Sequence, residues 1–467
     1  MRDSLARVGL CAAICGPVLI YGGNVGTLEC GSAIVLCLAA SLLFLSADFE
    51  PLSNDARVRV ALAGTSLLAL WPMAQLIPHS AFGAVAAQWS AVATLGHEPP
   101  PFTATLAVDE TWRALPVAFA TWGAFWTGVL GFGKRSRQSV LWIAVLVTAM
   151  LDCAYGLGIF ASGRNEVLGI KREAWIQDVA GGIVSGTFIN RNHFAFFCCI
   201  GLAIALTMAS RQCPSEGKSI RQKLRAIVDR WPVLVLGPVC AVLLISIFLS
   251  QSRGAMLSAL VLIACALILR MKRGMFAAAG ALALVIALPL LYVGTQTTQF
   301  ARARVETGFG ASAAARLEVQ LQTARAIRSN GGLGVGAGAF EAAFPLYRDR
   351  IPTDPGVWNA AHGSYVEWPF TYGVPWTLLL VATVVVLMAT IVRQRKRTGD
   401  ANADCALLVL LACLLHIAYD FGLQTLGLTL IVAALAGSAF GRAVGARTRA
   451  AVHTSHSSQA ANPKVRA

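Results

Sequence analysis

The hydrophobic positions of this chain fall into long blocks that are separated by shorter polar segments. Each block holds roughly twenty mostly apolar residues, the helical length needed to cross a hydrocarbon core of ~30 Å. The pattern predicts about twelve membrane-spanning helices. They cover residues 5–23, 31–47, 58–77, 113–133, 139–160, 188–210, 231–250, 254–270, 274–293, 374–392, 405–420 and 424–441.

Composition supports a membrane protein. Hydrophobic residues make up 56% of the chain, charged residues 13%, and the mean hydropathy is +0.65, which is too apolar for a soluble domain of 467 residues. The first block follows Arg2 and Arg7 as the core of a signal peptide would, but further spans follow at once and no small-residue cleavage pattern stands out. We therefore predict an all-α polytopic membrane protein whose first block is its first span.

The distribution of basic residues predicts the orientation. Lysine and arginine cluster at 134–137, 211–230, 270–273, 393–397 and in the tail after Arg442. With twelve spans, all these clusters fall on the side of the N-terminus, which the positive-inside rule makes cytoplasmic. Both termini are then cytoplasmic. The net charge of +15 matches an anionic lipid surface and is not read as a nucleic-acid footprint.

The cysteines give little sign of chemistry. The chain has twelve, almost all inside predicted spans and none in the largest external loop. This placement favours small apolar packing residues over a disulfide framework or a thiolate metal site.

One polar interval interrupts the apolar pattern, from Thr295 to Tyr372. It contains no lysine and seven arginines, Arg302, Arg304, Arg316, Arg325, Arg328, Arg348 and Arg350, and it includes His362 shortly before its end. A guanidinium is a planar fork that grips phosphate oxygens in pairs, whereas an ammonium is a point charge. Since loops longer than about 60 residues cross the membrane largely regardless of charge, these arginines have no topological explanation. The interval predicts contact with a phosphorylated lipid on the external face.

Two features are expected inside this interval. Residues 311–329 have apolar positions at helical spacing and predict a helix. The glycine run 331–338 then ends that helix, either as a structural turn or with its amides aimed at an anion. The structural interpretation is the favoured one, because no strand–helix context of a nucleotide site surrounds the run.

A second polar feature is a tight external hinge between two spans, Ser250-Gln251-Ser252-Arg253-Gly254. An arginine at the membrane boundary is costly and marks a site or a paired partner, unless it snorkels to the headgroups. The hydroxyl and amide side chains beside Arg253 favour a polar pocket.

These pieces together resemble a known superfamily. In chain order they are Asn190-Arg191-Asn192 at the start of a span, the Arg253 hinge, Arg316, Gly334-Val-Gly336, and His362 followed by Gly373. Over residues 180–420 the chain is similar to the bacterial O-antigen ligases and O-antigen polymerases, a superfamily that includes protein O-oligosaccharyltransferases. His362 and Gly373 keep the spacing of the ligase branch, while Gly363 and Trp376 depart from it. The ligase, the polymerase and the protein transferase therefore stay open.

The resemblance implies a GT-C-like membrane fold and a bacterial inner-membrane enzyme of lipopolysaccharide or exopolysaccharide biosynthesis, with its active site on the periplasmic side. It implies an inverting, metal-independent glycosyltransferase without a cofactor. The donor would be a glycan on undecaprenyl diphosphate, and the acceptor another glycan, lipid A-core or a protein. Nucleic acid is not an expected partner.

The arginines and the histidine of this chain fit glycosyl transfer from a lipid diphosphate, the chemistry that the resemblance implies. No Asp-x-Asp metal motif occurs in the chain, and arginine can supply positive charge at a leaving diphosphate. We predict Arg253 and Arg316 for that role and His362 as general base, since its ordinary pKa of ~6.5 suits proton transfer. The predicted donor-binding residues are Asn190, Arg191, Asn192, Ser252, Arg325 and Tyr365.

Other polar residues near the spans are assigned structural roles. His416 and Asp420 lie at i and i+4 of a predicted span and are expected to hydrogen-bond with each other. Asp109 and Glu110 are expected to cap the fourth span. His193, near the start of the sixth predicted span, could join the site.

The predicted organisation has three parts: 1–180 with five spans, a ligase/polymerase-like core at 181–445 that includes the loop 295–372, and a disordered cytoplasmic tail at 446–467. A flippase for lipid-linked glycans is the competing function. No inverted repeat is evident, and a single arginine-rich external loop favours a one-sided enzyme over alternating access.

Overall fold

The computed structural model describes residues 2–46, 49–77, 103–171, 182–212, 231–270, 309–349, 357–399 and 401–460. Helices make up nearly all the regular structure of this part. They are α1 Arg2–Cys15, α2 Gly26–Phe44, α3 Glu50–Ser53, α4 Ala56–Leu76, α5 Val108–Phe132, α6 Arg135–Ala161, α7 Arg191–Gln212, α8 Trp231–Leu249, α9 Arg253–Arg270, α10 Phe309–Ser329, α11 Phe340–Ala343, α12 Ser364–Thr371, α13 Val374–Thr398, α14 Ala401–His416 and α15 Leu426–Ala460. A two-stranded antiparallel hairpin pairs β1, Glu166–Val167, with β2, Ile170–Lys171.

The helices confirm the predicted all-α polytopic membrane protein. By length and apolarity, six of those described can cross a membrane: α2, α5, α6, α7, α13 and α15. Four shorter apolar stretches lie at Leu5–Leu19, Leu234–Leu249, Arg253–Ile268 and Asn402–His416. Every predicted span coincides with a helix except 274–293, which lies outside the described residues.

Two boundaries differ from the prediction. The span predicted at 405–420 ends as α14 at His416, and residues 417–425 form a polar turn before α15. Helix α15 continues to Ala460, so 446–460 is helical where a disordered tail was expected. The rest of the proposed three-part organisation stays a prediction.

Helix α7 is the centre of the bundle. Its residues 193–205 are all buried, and it contacts α6, α8, α9 and α14. A membrane helix that is apolar on every side packs against lipid or against other helices, and the burial of α7 shows that other helices enclose it. The start of α7 therefore lies among protein neighbours.

Helices α5 and α15 pack through glycines. A Cβ on Gly128 would lie 2.3 Å from the carbonyl oxygen of Ala434, and one on Gly437 would lie 2.1 Å from that of Phe125. Small residues of this kind let membrane helices approach backbone to backbone, where close packing replaces the missing hydrophobic driving force.

The glycine run after α10 is a structural turn. The amide of Val335 donates to the carbonyl of Phe370, and the amide of Gly336 to that of Thr371, both at 2.9 Å. Ala337 N–H donates to Oε1 of Gln75 at 3.0 Å. Because these amides already have backbone and side-chain acceptors, the favoured structural interpretation of the run agrees with the structure. The turn fixes the end of α12 against α4.

We expect Gly336→Ala to destabilise the protein by roughly 1–3 kcal/mol, the range of overpacking and backbone strain. Gly336 has φ 117°, and an added Cβ would lie 1.9 Å from Oγ1 of Thr105. Thermal unfolding in detergent measures the change. The matched control is Gly158→Ala in α6, where a Cβ meets no atom within 4 Å. An unchanged melting temperature for Gly336→Ala would contradict this account of the turn.

Candidate functional site

The polar turn, residues 417–425 between α14 and α15, joins the separate parts of the candidate site. Asp420 contacts the start of α7, Phe421 contacts His362, and Tyr419 packs on the start of α9. The carbonyl of Ile417 accepts a hydrogen bond from the amide of Ser364 at 2.9 Å. Residues far apart in the chain therefore meet at one end of the bundle.

A buried histidine–carboxylate pair anchors this arrangement. Nε2 of His193 lies 3.2 Å from Oδ1 of Asp420, and Nδ1 of His193 lies 2.9 Å from the hydroxyl of Thr425. Burial acts to raise the pKa of Asp420, but the hydrogen bond and charge of His193 outweigh it and hold that pKa below its usual range. Asp420 is therefore a carboxylate acceptor. The expected hydrogen bond between His416 and Asp420 is wrong: the ring of His416 pairs with the hydroxyl of Tyr419, since the chain leaves the helix after His416.

His362 lies beside this pair. Its ring contacts Trp358 at a centroid distance of 5.4 Å and Phe421 at 5.2 Å, both edge to face. Phe421 also contacts the ring of His193 at 4.9 Å, so it separates the two histidines. The His362 backbone has φ 51°, an uncommon conformation for a residue with a side chain. Such strain persists only where the surroundings impose it, and it is concentrated at functional sites.

Arg316 on α10 is electrostatically coupled to His362. The pKa of His362 is lowered from 6.5 to about 4. Burial is the largest cause of this decrease, and the positive charge of Arg316 is the next. Gln320, four residues after Arg316 on α10, donates a hydrogen bond from its side-chain amide to the carbonyl of His362 at 2.7 Å. This bond joins α10 to the histidine. At neutral pH His362 is therefore uncharged while Arg316 stays positive.

The hinge between α8 and α9 forms a further wall of the site. Arg253 is exposed and is the first residue of α9, whereas Ser252 is buried. Gln251 has φ 56°, another strained position among the described residues. The ring of Tyr419 lies so close to α9 that a Cβ on Gly254 would fall 2.0 Å from it. This contact brings the start of α9, and Arg253 with it, to the polar turn.

The asparagines that precede and begin α7 have different tasks. Oδ1 of Asn190 accepts the amide of Asn192 at 2.8 Å, which caps the helix, and its Nδ2 lies 3.2 Å from Nε2 of His193. Arg191 and Asn192 are half-buried at the same end. The predicted residues of this motif thus lie next to the histidine–carboxylate pair.

The other predicted residues lie further out. Arg325 is exposed, and nine residues, about two and a half turns, place it on the face of α10 opposite Arg316. Tyr365 is exposed, and its hydroxyl donates to the carbonyl of Leu414 at 2.9 Å. The structure does not bring these two to the cluster around His362.

Sequence reasoning missed Asp420 and Glu367 as parts of the site and gave His193 little weight. Each carries a polar group that is nearly or fully buried, with exposed fractions of 0%, 3% and 3% respectively. For Asp420 the available signal was the sequence His416-Ile-Ala-Tyr-Asp420, which places polar residues at the end of an apolar span.

Asp109 and Glu110 lie in the first turn of α5, near the predicted position, and Glu110 pairs with Arg113 at 2.8 Å.

We expect Arg316→Ala to raise the pKa of His362, because removing a nearby positive charge makes protonation easier. The pKa stays below 6.5, since burial is the larger cause. A pH titration of isotope-labelled histidine by NMR measures this, with a His362→Gln spectrum for assignment. The control is Arg328→Ala, an exposed arginine on the same helix. Equal pKa values in Arg316→Ala and the parent protein would contradict the coupling.

Comparison with known proteins shows which family part of this chain is similar to. Residues 238–382 match the family model described as O-antigen ligase, a segment that includes Arg253, Arg316 and His362. No curated protein matches the chain. The match agrees with the resemblance that the motifs predicted, and it supports a membrane protein that transfers glycans. The similarity to the O-antigen ligase family thus covers residues 238–382 of the 467-residue chain.

Proposed function

We propose that this protein is an inverting, metal-independent glycosyltransferase of the bacterial inner membrane. It moves a glycan from undecaprenyl diphosphate to an acceptor hydroxyl on the periplasmic side. The observation that carries the proposal is the contact of an uncharged His362 with Phe421 of the polar turn, together with the electrostatic effect of Arg316 on that histidine. Tyr419 of the same turn lies against the start of α9, which Arg253 begins. The matched family is described as O-antigen ligase, while Gly363 and Trp376 depart from the ligase pattern, so lipid A-core, another glycan and a protein are all candidate acceptors.

The reaction needs one proton acceptor and a stabilised leaving group. The acceptor oxygen attacks the anomeric carbon, and the bond from that carbon to the diphosphate oxygen breaks with its electron pair on the diphosphate. Attack from the face opposite the leaving group inverts the anomeric centre. The acceptor proton passes to His362, and undecaprenyl diphosphate departs as the second product.

His362 suits the role of proton acceptor because its ring is uncharged at neutral pH. A pKa of about 4 leaves a free lone pair on one ring nitrogen. Nδ1 is buried and has no hydrogen-bond partner among the described residues, so we assign the contact with the acceptor hydroxyl to Nε2. The developing negative charge on the diphosphate would raise the basicity of the ring during the reaction, which offsets the low pKa of the unliganded site.

Arg253 and Arg316 suit the role of charge stabilisation at the leaving group. Arg253 begins α9, whose N-terminal amides also favour an anion, and Arg316 already acts electrostatically on His362. Arginines fixed before the reaction need little reorganisation when charge develops, and this electrostatic contribution is usually the largest in catalysis. Arg191, at the start of α7, would add contact to the carrier or the glycan.

We expect His362→Ala, Arg253→Ala and Arg316→Ala each to lower the transfer rate by about 100-fold or more, the cost of losing a catalytic base or an oxyanion donor. Purified protein in detergent is incubated with the lipid-diphosphate glycan and acceptor, and release of undecaprenyl diphosphate is measured. Arg328→Ala and Arg164→Ala, both exposed and outside the site, are expected to retain activity.

Full activity in all three site variants would contradict the site assignment. If the parent protein moves the lipid across a vesicle membrane but releases no undecaprenyl diphosphate, it is a flippase and the proposed reaction is wrong. Equal abundance of each variant in the membrane is required for the comparison.

A further inference from the structure

Glu367 is a fully enclosed carboxyl group that the proposed chemistry leaves without a role. It lies on α12, and its side chain is only 3% exposed. Oε2 accepts the backbone amide of Ala361 at 2.7 Å, and Oε1 accepts the side-chain amide of Gln424. The group therefore binds the residue before His362 on one side and the polar turn on the other.

These two bonds span the backbone that holds His362. The chain passes from Ala361 through His362, at φ 51°, to an extended Gly363 at φ −172°. A left-handed residue of this kind is strained, and it persists only where the surrounding structure restrains it. The restraint after it is the bond from Ser364 N–H to the carbonyl of Ile417. The restraint before it is Glu367, through the amide of Ala361.

Placing a carboxyl group at this buried position costs free energy. Burial raises the pKa of Glu367 from 4.5 to about 7, so the surroundings oppose its charge. An apolar side chain of similar size would avoid that cost, but it would leave the buried amide of Ala361 without an acceptor. What the position requires is an oxygen that accepts from Ala361 and a second polar atom that pairs with Gln424.

We propose that Glu367 is a positioning residue that holds His362 in its reactive orientation by joining the amide of Ala361 to Gln424 of the polar turn. This inference rests on the proposed function, in which His362 is the proton acceptor. Glu367 acts through hydrogen bonds and not through its charge.

This distinction can be tested because glutamine reproduces the hydrogen bonds. In Glu367→Gln the carbonyl oxygen accepts from Ala361, and the NH₂ group donates to Gln424 once that exposed amide turns its oxygen inward. In Glu367→Leu neither bond can form. Glu341→Leu removes an exposed carboxylate from the same external region and is the matched control.

Three measurements are made on the full-length protein in detergent: kcat and KM for lipid-diphosphate donor, the melting temperature, and hydrogen exchange of peptides covering 357–366. We expect Glu367→Leu to lower kcat by about 100-fold, the cost of misplacing a reacting group by about 1 Å, with KM for the donor little changed. Exchange in 357–366 rises in that variant. Glu367→Gln and Glu341→Leu keep the parent kcat and the parent protection.

The positioning role is overturned if Glu367→Leu keeps the parent kcat, or if Glu367→Gln loses activity as severely as Glu367→Leu. It is also overturned if Glu367→Leu changes the donor KM by as large a factor as kcat and lowers the melting temperature as well. Glu367 would then stabilise the general fold and not the orientation of His362 alone. Hydrogen exchange separates this failure from a failure of the proposed function. Unchanged exchange in 357–366 refutes the hydrogen-bonded link even if His362→Ala is inactive, whereas increased exchange in a protein without transferase activity refutes the proposed reaction alone.

Discussion

The buried contact between His193 and Asp420 is the interaction on which the site depends. It joins the start of the most enclosed helix, α7, to the polar turn after α14. In a membrane protein, polar groups of the interior must find partners within the protein, because lipid offers none. A paired carboxylate at this point fixes the polar turn, and the polar turn then presents Tyr419 to α9 and Phe421 to His362.

This arrangement gives His362 its environment before any substrate binds. Aromatic rings contact His362 on two sides, burial lowers its pKa, and Arg316 adds a positive charge nearby. The uncharged ring and the neighbouring guanidinium match the two demands of glycosyl transfer from a diphosphate. The backbone at His362 is strained, and the hydrogen bonds from Gln320 to its carbonyl and from Ala361 to Glu367 restrain it.

The sequence allowed the spans and the chemistry-bearing residues to be predicted, but not their contacts. Hydropathy located the helices because each span must bury its length in lipid. The lysine-free interval pointed to its arginines as a group, and the resemblance to the O-antigen ligases and polymerases singled out Arg316 and His362. The partner of Asp420 is His193, 227 residues earlier in the chain, and helical spacing favoured the nearer His416 instead. Glu367 was missed because its two bonds depend on how α12 packs against the polar turn. The outward position of Arg325 follows from helical periodicity relative to Arg316 and could have been predicted.

We propose that parts from separate regions of the chain bind one diphosphate. A cryo-EM structure of the protein in a lipid nanodisc with undecaprenyl diphosphate tests it most directly. We expect density for the two phosphates within hydrogen-bond distance of Arg253 and Arg316, with His362 facing the position of the departing sugar. A diphosphate bound at the basic ends of the helices on the opposite side, near Lys134 or Arg395, would contradict the account.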